Sequence, residues 1–578
     1  MLFCLFSCLS VLCALTASPA PSVCSDINDI LAKSAKANDL PQPACECFSG
    51  YKSSPGNEGD NNVDSWVGCA RQKMPHVFNA LKALNGTVIS KLWIWDSLIN
   101  IIPAGMFSQI RPKRLSIQRS GLSMFRHNAF SDIGPYLEVL QLRHNLLKDI
   151  DPSVFRQLNQ LVLLDLAENK IRQLESFTEL RTLVISENHL NKIEDRAFQN
   201  MNKLRVLNLA NNQLSNLTKD TFYGLSSLEE LYLRNNNLVS LDPRVFSHLE
   251  NLKILDLGNN QLSGVKLFGL KNLERLILIN NSIGSMKDVI LEDLFNLRVL
   301  SLSRNMITHI KDNDLASLGG CKRLDSLSLV FNRLKSIEPS AFEPTSDLKV
   351  LSLQNNELTS LSSEFGEGSV SFLRHLSKLK QLYLSYNSLT EIKDGDFENL
   401  HSLKVLELDG NQIIKVGREA LRNLPLTYLY MANNRLSYLP KGVFDDAVSS
   451  IEAVDLSGNP WQCTSSEEEW LPQWLEEMGE RVLHRTFMGC MRPKENTEVY
   501  SPIVAILASV LAVISILILF AIAFLYFEDG RRMKRAPSDL LNLISNTDEI
   551  KQPLCDTENQ IKAPATGSGK KRVRFDGV

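Results

Sequence analysis

The sequence predicts an α/β solenoid, a horseshoe with a parallel β-sheet on its concave face, closed by disulfide caps and followed by one membrane span and a disordered tail. Three observations predict it. Fourteen asparagines, from Asn145 to Asn459, hold the same place in a recurring L-x-L-x-x-N-x-L/I pattern, and a fixed period of this kind marks stacked repeats. Cysteines gather just before and just after that array. Long apolar runs stand at Met1–Ala17 and Ile503–Phe527.

The chain begins with a run of 17 mostly apolar residues, then Ser18 and Pro19. It is too short to cross a bilayer and reads as a secretory signal peptide, residues 1–18. Residues 503–527 carry no charge over 25 positions, and Arg531, Arg532, Lys534 and Arg535 follow. That length spans a hydrocarbon core with some tilt, and the basic flank favours the cytoplasmic side. The expected location is the plasma membrane, as a single-pass type I protein with an extracellular ectodomain. The 578 residues carry a formal net charge of -3, so no basic excess points to nucleic acid.

Each repeat reads F-x-x-L-x-x-L-x-x-L-x-L-x-x-N-x-L-x-x-L/I, and Phe198, Met201, Leu204, Leu207, Leu209, Asn212, Leu214 and Leu217 fill it without a gap. The Leu-x-Leu piece is a short strand whose leucines face inward. The Asn amide can donate and accept, which suits the backbone groups of a chain leaving a strand for a turn. Ser97 and Ser120 hold the Asn place in two earlier units, giving about sixteen coils over residues 87–459. The step from Asn169 to Asn188 is 19 residues and that from Asn356 to Asn387 is 31, the latter adding a loop around Gly366, Glu367, Gly368 and Ser369.

An open stack needs covered ends. Cys24, Cys45, Cys47 and Cys69 precede it, within a cap over 24–86. Asn459-Pro460-Trp461-Gln462-Cys463, then Trp470, Leu471, Trp474, Leu475 and Cys490, follow it over 460–495, ahead of a stalk at 496–502. With these caps the chain resembles the extracellular leucine-rich-repeat receptors and adhesion proteins that lack a Toll-type or kinase domain. The resemblance implies the pairs Cys24–Cys47 and Cys45–Cys69, although four cysteines alone allow three connectivities. It also implies Cys463–Cys490. Ser465 stands where the family has another cysteine, so a single bridge and a looser cap are expected there. A secretory route favours disulfides over zinc. Cys321 fills a slot held by leucine elsewhere and reads as buried and inert.

The candidate ligand contacts are strand positions facing the concave side: Trp93 and Trp95 at one end, and Tyr383, Glu407, Asp409, Tyr428 and Tyr430, with Tyr386 at the edge, at the other. Tyr and Trp are enriched in binding hot spots, though strands favour them anyway. Arg143 and Arg234, with Asp165 and Asp256, lie between. Sequons stand at Asn85, Asn216 and Asn280. A glycan at Asn280 would obstruct the middle of the groove.

No catalytic motif is present and no cofactor or metal is expected, so the chain reads as a non-enzyme. The tail, 528–578, ends in Arg572-Val573-Arg574-Phe575-Asp576-Gly577-Val578. Arg572, Val573 and Phe575 resemble a docking peptide for protein phosphatase 1, and Asp576 with Val578 resembles a PDZ-domain ligand. A basic segment on anionic lipid is the plain alternative. The expectation is a cell-surface receptor or adhesion protein that binds an extracellular protein or matrix component and recruits cytoplasmic proteins. Its rival is a structural epithelial surface protein organising extracellular matrix, with a dispensable tail.

Overall fold

The computed structural model describes residues 23–50 and 64–484, apart from 150, 156, 174–176, 178, 366–367 and 463–469. The expected signal peptide, both cysteines of the expected C-terminal bridge, the expected span and the tail motifs all lie outside the described residues. No described helix is long and apolar enough to cross a membrane.

One sheet of 18 strands runs through the array. Its first strand, β1 (Glu46–Gly50), pairs antiparallel with β2 (Asp64–Ala70). From β2 onward every neighbour is parallel, first β3 (Lys91–Trp95), then one short strand per coil to Ala453–Asp455. Register is exact at the leucines: Leu207 lies beside Leu231 and Leu231 beside Leu255. These leucines are wholly buried. Strand-to-strand stacking therefore buries each coil's apolar edge against the next, the only way so short a unit can build a core.

The return paths are turns, 3-10 segments such as Met286–Asp288, Ala316–Gly320 and Glu343–Thr345, and short second strands paired between coils, such as Val265–Phe268 with Val289–Glu292. Within the array only Pro152–Phe155 forms an α-helical turn among the described residues. The array is thus a β-solenoid, and the α component expected from the sequence is confined to the caps and that one turn. The outer side of so short a coil holds room for little more than a turn of helix, and short helices are marginal on their own. Phenylalanines fill that side as a spine. Phe107 and Phe130 are 5.9 Å apart, Phe198 and Phe222 6.2 Å, and Phe222 and Phe246 5.8 Å.

The asparagine ladder works as the backbone accounting requires. Asn236 Nδ2 donates to Leu233 O at 3.0 Å and to Leu209 O of the preceding coil at 3.0 Å, while its Oδ1 accepts from Leu214 N at 3.0 Å. Asn145 opens the ladder by accepting from Ser120 N and Leu122 N at 3.1 Å. The serines continue it: Ser97 N donates to Ser120 Oγ at 3.3 Å, and Gln72 N to Ser97 Oγ at 3.0 Å.

At the N-terminal end α1 (Val23–Ala37) and α2 (Met74–Ala83) frame β1 and β2. Disulfides join Cys24 to Cys47 and Cys45 to Cys69, the pairing the resemblance implied. At the other end the helix Trp470–Met478 buries Leu471, Trp474, Leu475 and Met478. Trp474 stacks on Phe444 at 4.6 Å, and Trp470 Nε1 donates to Leu439 O at 3.2 Å. Cys321 is free and 5% exposed, and burial pushes its thiol up to about 11. The added loop before Asn387 is an antiparallel pair, Ser362–Phe365 with Gly368–Ser371.

Candidate binding surface

The sheet sets Tyr383, Glu407, Tyr430 and Asp455 side by side on successive strands. Parallel strands lie about 4.8 Å apart, so large side chains in one row cover one another. Tyr383 is 1% exposed, Tyr430 2% and Asp409 7%. Asp409 Oδ1 accepts from Ala432 N at 2.8 Å, a structural bond to the next coil. Burial, followed by the nearby Glu407 charge, raises the Tyr383 hydroxyl well above the tyrosine range. Three of the expected contacts, Tyr383, Tyr430 and Asp409, are therefore packing residues. Trp93 is corrected likewise. It is buried between Trp66, 6.0 Å away, and Trp95, 4.6 Å away, with Lys91 Nζ 4.7 Å above its ring. Trp95, Glu407 and Tyr428 remain partly accessible. Tyr428 Oη donates to Glu452 at 2.7 Å. Tyr386 stands out at 59% exposure.

Towards the N-terminal end the charged residues pair. Glu168 accepts from Arg143 Nε and meets His144 Nδ1, both at 2.5 Å. Partial burial works to raise the Glu168 carboxyl, but the bonds from His144 and Arg143 outweigh it and hold it below its ordinary value. Burial raises Asp165 and Asp256 instead, against backbone bonds from Ala167 and Gly258. The sequon residues Asn85, Asn216 and Asn280 are all exposed.

A second row carries the information that the sequence pattern hid. The residue just before each ladder position has a left-handed backbone in all sixteen coils, from Asp96 (φ 50) to Gly458 (φ 69). Asn or Gly fills half of these places: Asn211, Asn235, Asn259, Asn280, Asn355, Asn433, Gly410 and Gly458. That choice is cheap, because only Gly and short polar side chains visit this region routinely. Two coils place a large aromatic there, Phe331 at φ 55 and Tyr386 at φ 58. For a bulky residue such a conformation is a true outlier, costing roughly 1–2 kcal/mol. Neither ring is repaid by full burial, since Phe331 is 47% and Tyr386 59% exposed. The Arg304 guanidinium lies 5.1 Å from the Phe331 ring. A Cβ on Gly410 would meet Tyr386 Cδ1 at 2.7 Å, so the glycine makes room for that ring. Backbone bonds tie the row together, Phe331 N to Gln354 O at 3.0 Å and Asn355 N to Ser385 O at 3.0 Å.

The floor between these rings is uncharged. Its strand positions carry Ser301, Ser326, Ser328, Ser352, Gln354, Gln381 and Ser385. Of the six buried side-chain polar atoms without a hydrogen-bond partner among the described residues, three lie here, Ser301 Oγ, Gln354 Oε1 and Ser385 Oγ; the others are Trp93 Nε1, Asp314 Oδ1 and Trp474 Nε1. Unsatisfied buried polar atoms are few in native folds and each needs a reason. Here three share one stretch of sheet beside two strained aromatics.

Comparison with known proteins agrees with this architecture. A Leucine rich repeat family model matches residues 113–171, 178–238, 226–283, 322–370 and 369–413, and a second Leucine Rich Repeat model matches 296–318. The P-granule-associated novel protein 1 of Caenorhabditis elegans is 41% identical over 570 residues, covering 92% of this chain and 93% of that protein. The human Leucine-rich repeats and immunoglobulin-like domains protein 1 is 33% identical over 135 residues, 23% of this chain and 12% of its own length. Lumican of Gallus gallus is 36% identical over 143 residues, 24% of this chain and 38% of its own. The solved structure of a leucine-rich-repeat protein of Leptospira interrogans superposes with a TM-score of 0.51 at 24% identity, covering 70% of this chain and 98% of that one, a likeness of fold.

Proposed function

The chain belongs to the leucine-rich-repeat family, and from that premise we propose that it is a cell-surface receptor or adhesion protein that grips an extracellular protein through the concave rim at Phe331 and Tyr386. One observation carries the reading: two exposed aromatic rings are held in a backbone conformation that disfavours them. Strain that packing does not explain is a mark of function. The partner segment that fits is extended and uncharged. Its apolar side chains would rest on the two exposed rings, over a floor that presents no charge to it. The apolar segment at 503–527 would anchor the protein as type I, with 528–578 offered to a phosphatase or a PDZ domain inside the cell.

Protein captured by crosslinking to cells displaying the full-length chain tests this. Phe331→Ser with Tyr386→Ser should abolish capture while the secreted or displayed yield stays normal. Gly410→Ala, which crowds the Tyr386 ring, should weaken it. Unchanged capture by the double variant would remove the basis of the reading.

A second reading has its own support, since the relative matched over 92% of this chain bears a name that associates it with P granules. Protease protection of tags at the two ends separates the two: an N-terminal tag accessible from outside intact cells supports the surface protein, and one accessible only after lysis supports the granule association.

A further inference from the structure

On the entry side of the strands, opposite the asparagine ladder, one residue per coil forms a row linked by backbone hydrogen bonds. Arg205, Glu229, Lys253, Glu274, Arg298, Asp325, Lys349, Lys380 and Lys404 follow one another, each amide donating to the carbonyl of the one before at 2.7–2.9 Å. Up to Lys349 the signs alternate. Glu229 takes Arg205 at 3.4 Å and Lys253 at 2.8 Å, and Asp325 takes Arg298 at 3.4 Å and Lys349 at 2.5 Å. Such a ladder neutralises itself. Then the alternation stops, and Lys349, Lys380 and Lys404 stand on adjacent coils about 4.8 Å apart. Like charges so placed repel. Lys380 and Lys404 are exposed, and neither has an acidic partner among the described residues.

Beside this run lies a recess of about 480 Å³ lined by Arg298, Lys322, Arg323, Asp325, Asp347, Lys349 and Lys378. Its five cations face two carboxylates, a net of +3, in a protein whose overall formal charge is -3. Both carboxylates are already engaged, Asp325 as above and Asp347 by Lys378 at 2.5 Å. Lys322 and Arg323 are exposed and unpaired among the described residues.

We propose that this lateral face binds a sulfated polysaccharide, laid along the solenoid axis with its sulfates on Lys322, Arg323, Lys349, Lys380 and Lys404. The cations follow successive coils, Lys322 and Arg323 on one and Lys349, Lys380 and Lys404 on the next three, which matches a linear polyanion. No aromatic side chain lines the recess, whereas proteins that hold single-stranded nucleic acid combine a positive groove with aromatics on which the bases stack. Lysine predominates over arginine, giving hydrated point charges suited to loosely oriented sulfates rather than bidentate forks. The face is separate from the concave rim, so this inference stands or falls apart from the ligand reading above.

The test is binding of a heparin oligosaccharide to the full-length protein in mild detergent, across a salt series. Wild type should bind with an affinity that falls steeply with salt, and Lys380→Glu with Lys404→Glu should weaken it at least about tenfold. The same charge change at Lys148 and Lys170, exposed on the opposite margin of the strands, should leave it within about twofold. Three results would each overturn the proposal: equal binding of desulfated heparin, tighter binding of a single-stranded RNA of equal charge, or equal loss from the Lys148 and Lys170 reversal. Normal thermal melting of both double variants shows that the comparison is between folded proteins.

Discussion

Replacing Asn260 with Ala and with Asp separates the two jobs of the ladder amide. Asn260 Nδ2 donates to Leu233 O at 3.1 Å, Leu257 O at 3.0 Å and Gly258 O at 3.1 Å, and its Oδ1 accepts from Leu238 N at 3.1 Å. The three carbonyls each keep another donor. Asn236 Nδ2 serves Leu233 O, Asn281 Nδ2 serves Leu257 O, and Asn235 N serves Gly258 O. Asn260→Ala therefore orphans only the Leu238 N–H, at about 1–3 kcal/mol, and loses three carbonyl bonds at roughly 0.5 kcal/mol each, for about 3–4 kcal/mol in total.

Asn260→Asp keeps the acceptor for Leu238 but aims a buried carboxylate at three carbonyl oxygens. Burying that charge without donors costs several kcal/mol, on the order of 4–6. At neutral pH the Asp variant should thus be the less stable of the two. Its carboxyl would titrate above the unfolded value of about 3.9, so its stability is retained at low pH and lost as pH rises through the folded pKa. Urea unfolding at about pH 4.5 and about pH 7.5, with hydrogen exchange at the Leu238 amide, reads both effects. An Asp variant as stable as the Ala variant at the higher pH, or a ranking that ignores pH, would refute the donor role of the amide.

Glu168→Gln tests the pair at the other end of the groove. Because hydrogen bonds from His144 and Arg143 hold the Glu168 carboxyl below the ordinary glutamate range, the ionised form contributes stability above that range and loses it as pH falls through the lowered pKa. The variant should melt earlier than wild type at neutral pH, and the gap should close on acidification. Removing the Cys45–Cys69 bridge, which closes a separation of 24 residues, should cost roughly 3 kcal/mol on the loop-entropy relation and free the N-terminal coils first. Limited proteolysis should then cut within residues 23–110 before any site in the central coils.

The coil count, the strand leucines and the ladder were legible because each depends on one residue type at one spacing. The burial of Tyr383, Tyr430 and Asp409 was not. It arises from neighbours a whole coil away, Tyr383 against Glu407 and Glu407 against Tyr430, and a strand position looks exposed until its lateral neighbours are known. Trp93 is hidden the same way by Trp66, through a cap strand that the repeat pattern does not announce. The left-handed row was readable in principle. Asn or Gly recurs before the ladder residue, and Phe331 and Tyr386 break that habit as plainly as Ser97 breaks the ladder. The repeat pattern marks the strand and leaves the return path unspecified, and what forms there is mostly turns, 3-10 segments and short strands. The charged row needed the register itself, because its members are separated by 21 to 31 residues and only the backbone bonds show which ones touch.

The reversal of direction at β1 has a consequence for how copies of the chain can meet. A parallel stack exposes an edge that an identical stack could in principle continue, and unprotected edges of this kind template end-to-end growth. At the N-terminal end that edge is occupied by a strand running the other way, pinned to its neighbours by Cys24–Cys47 and Cys45–Cys69. The slanted bonding pattern of the parallel sheet ends there, and what faces outward is the alternating pattern of an antiparallel edge. A second array arriving in the same orientation meets a strand that runs against its own. The molecule is in that sense polar, since an identical stack cannot extend the parallel ladder past β1 without a change of strand direction.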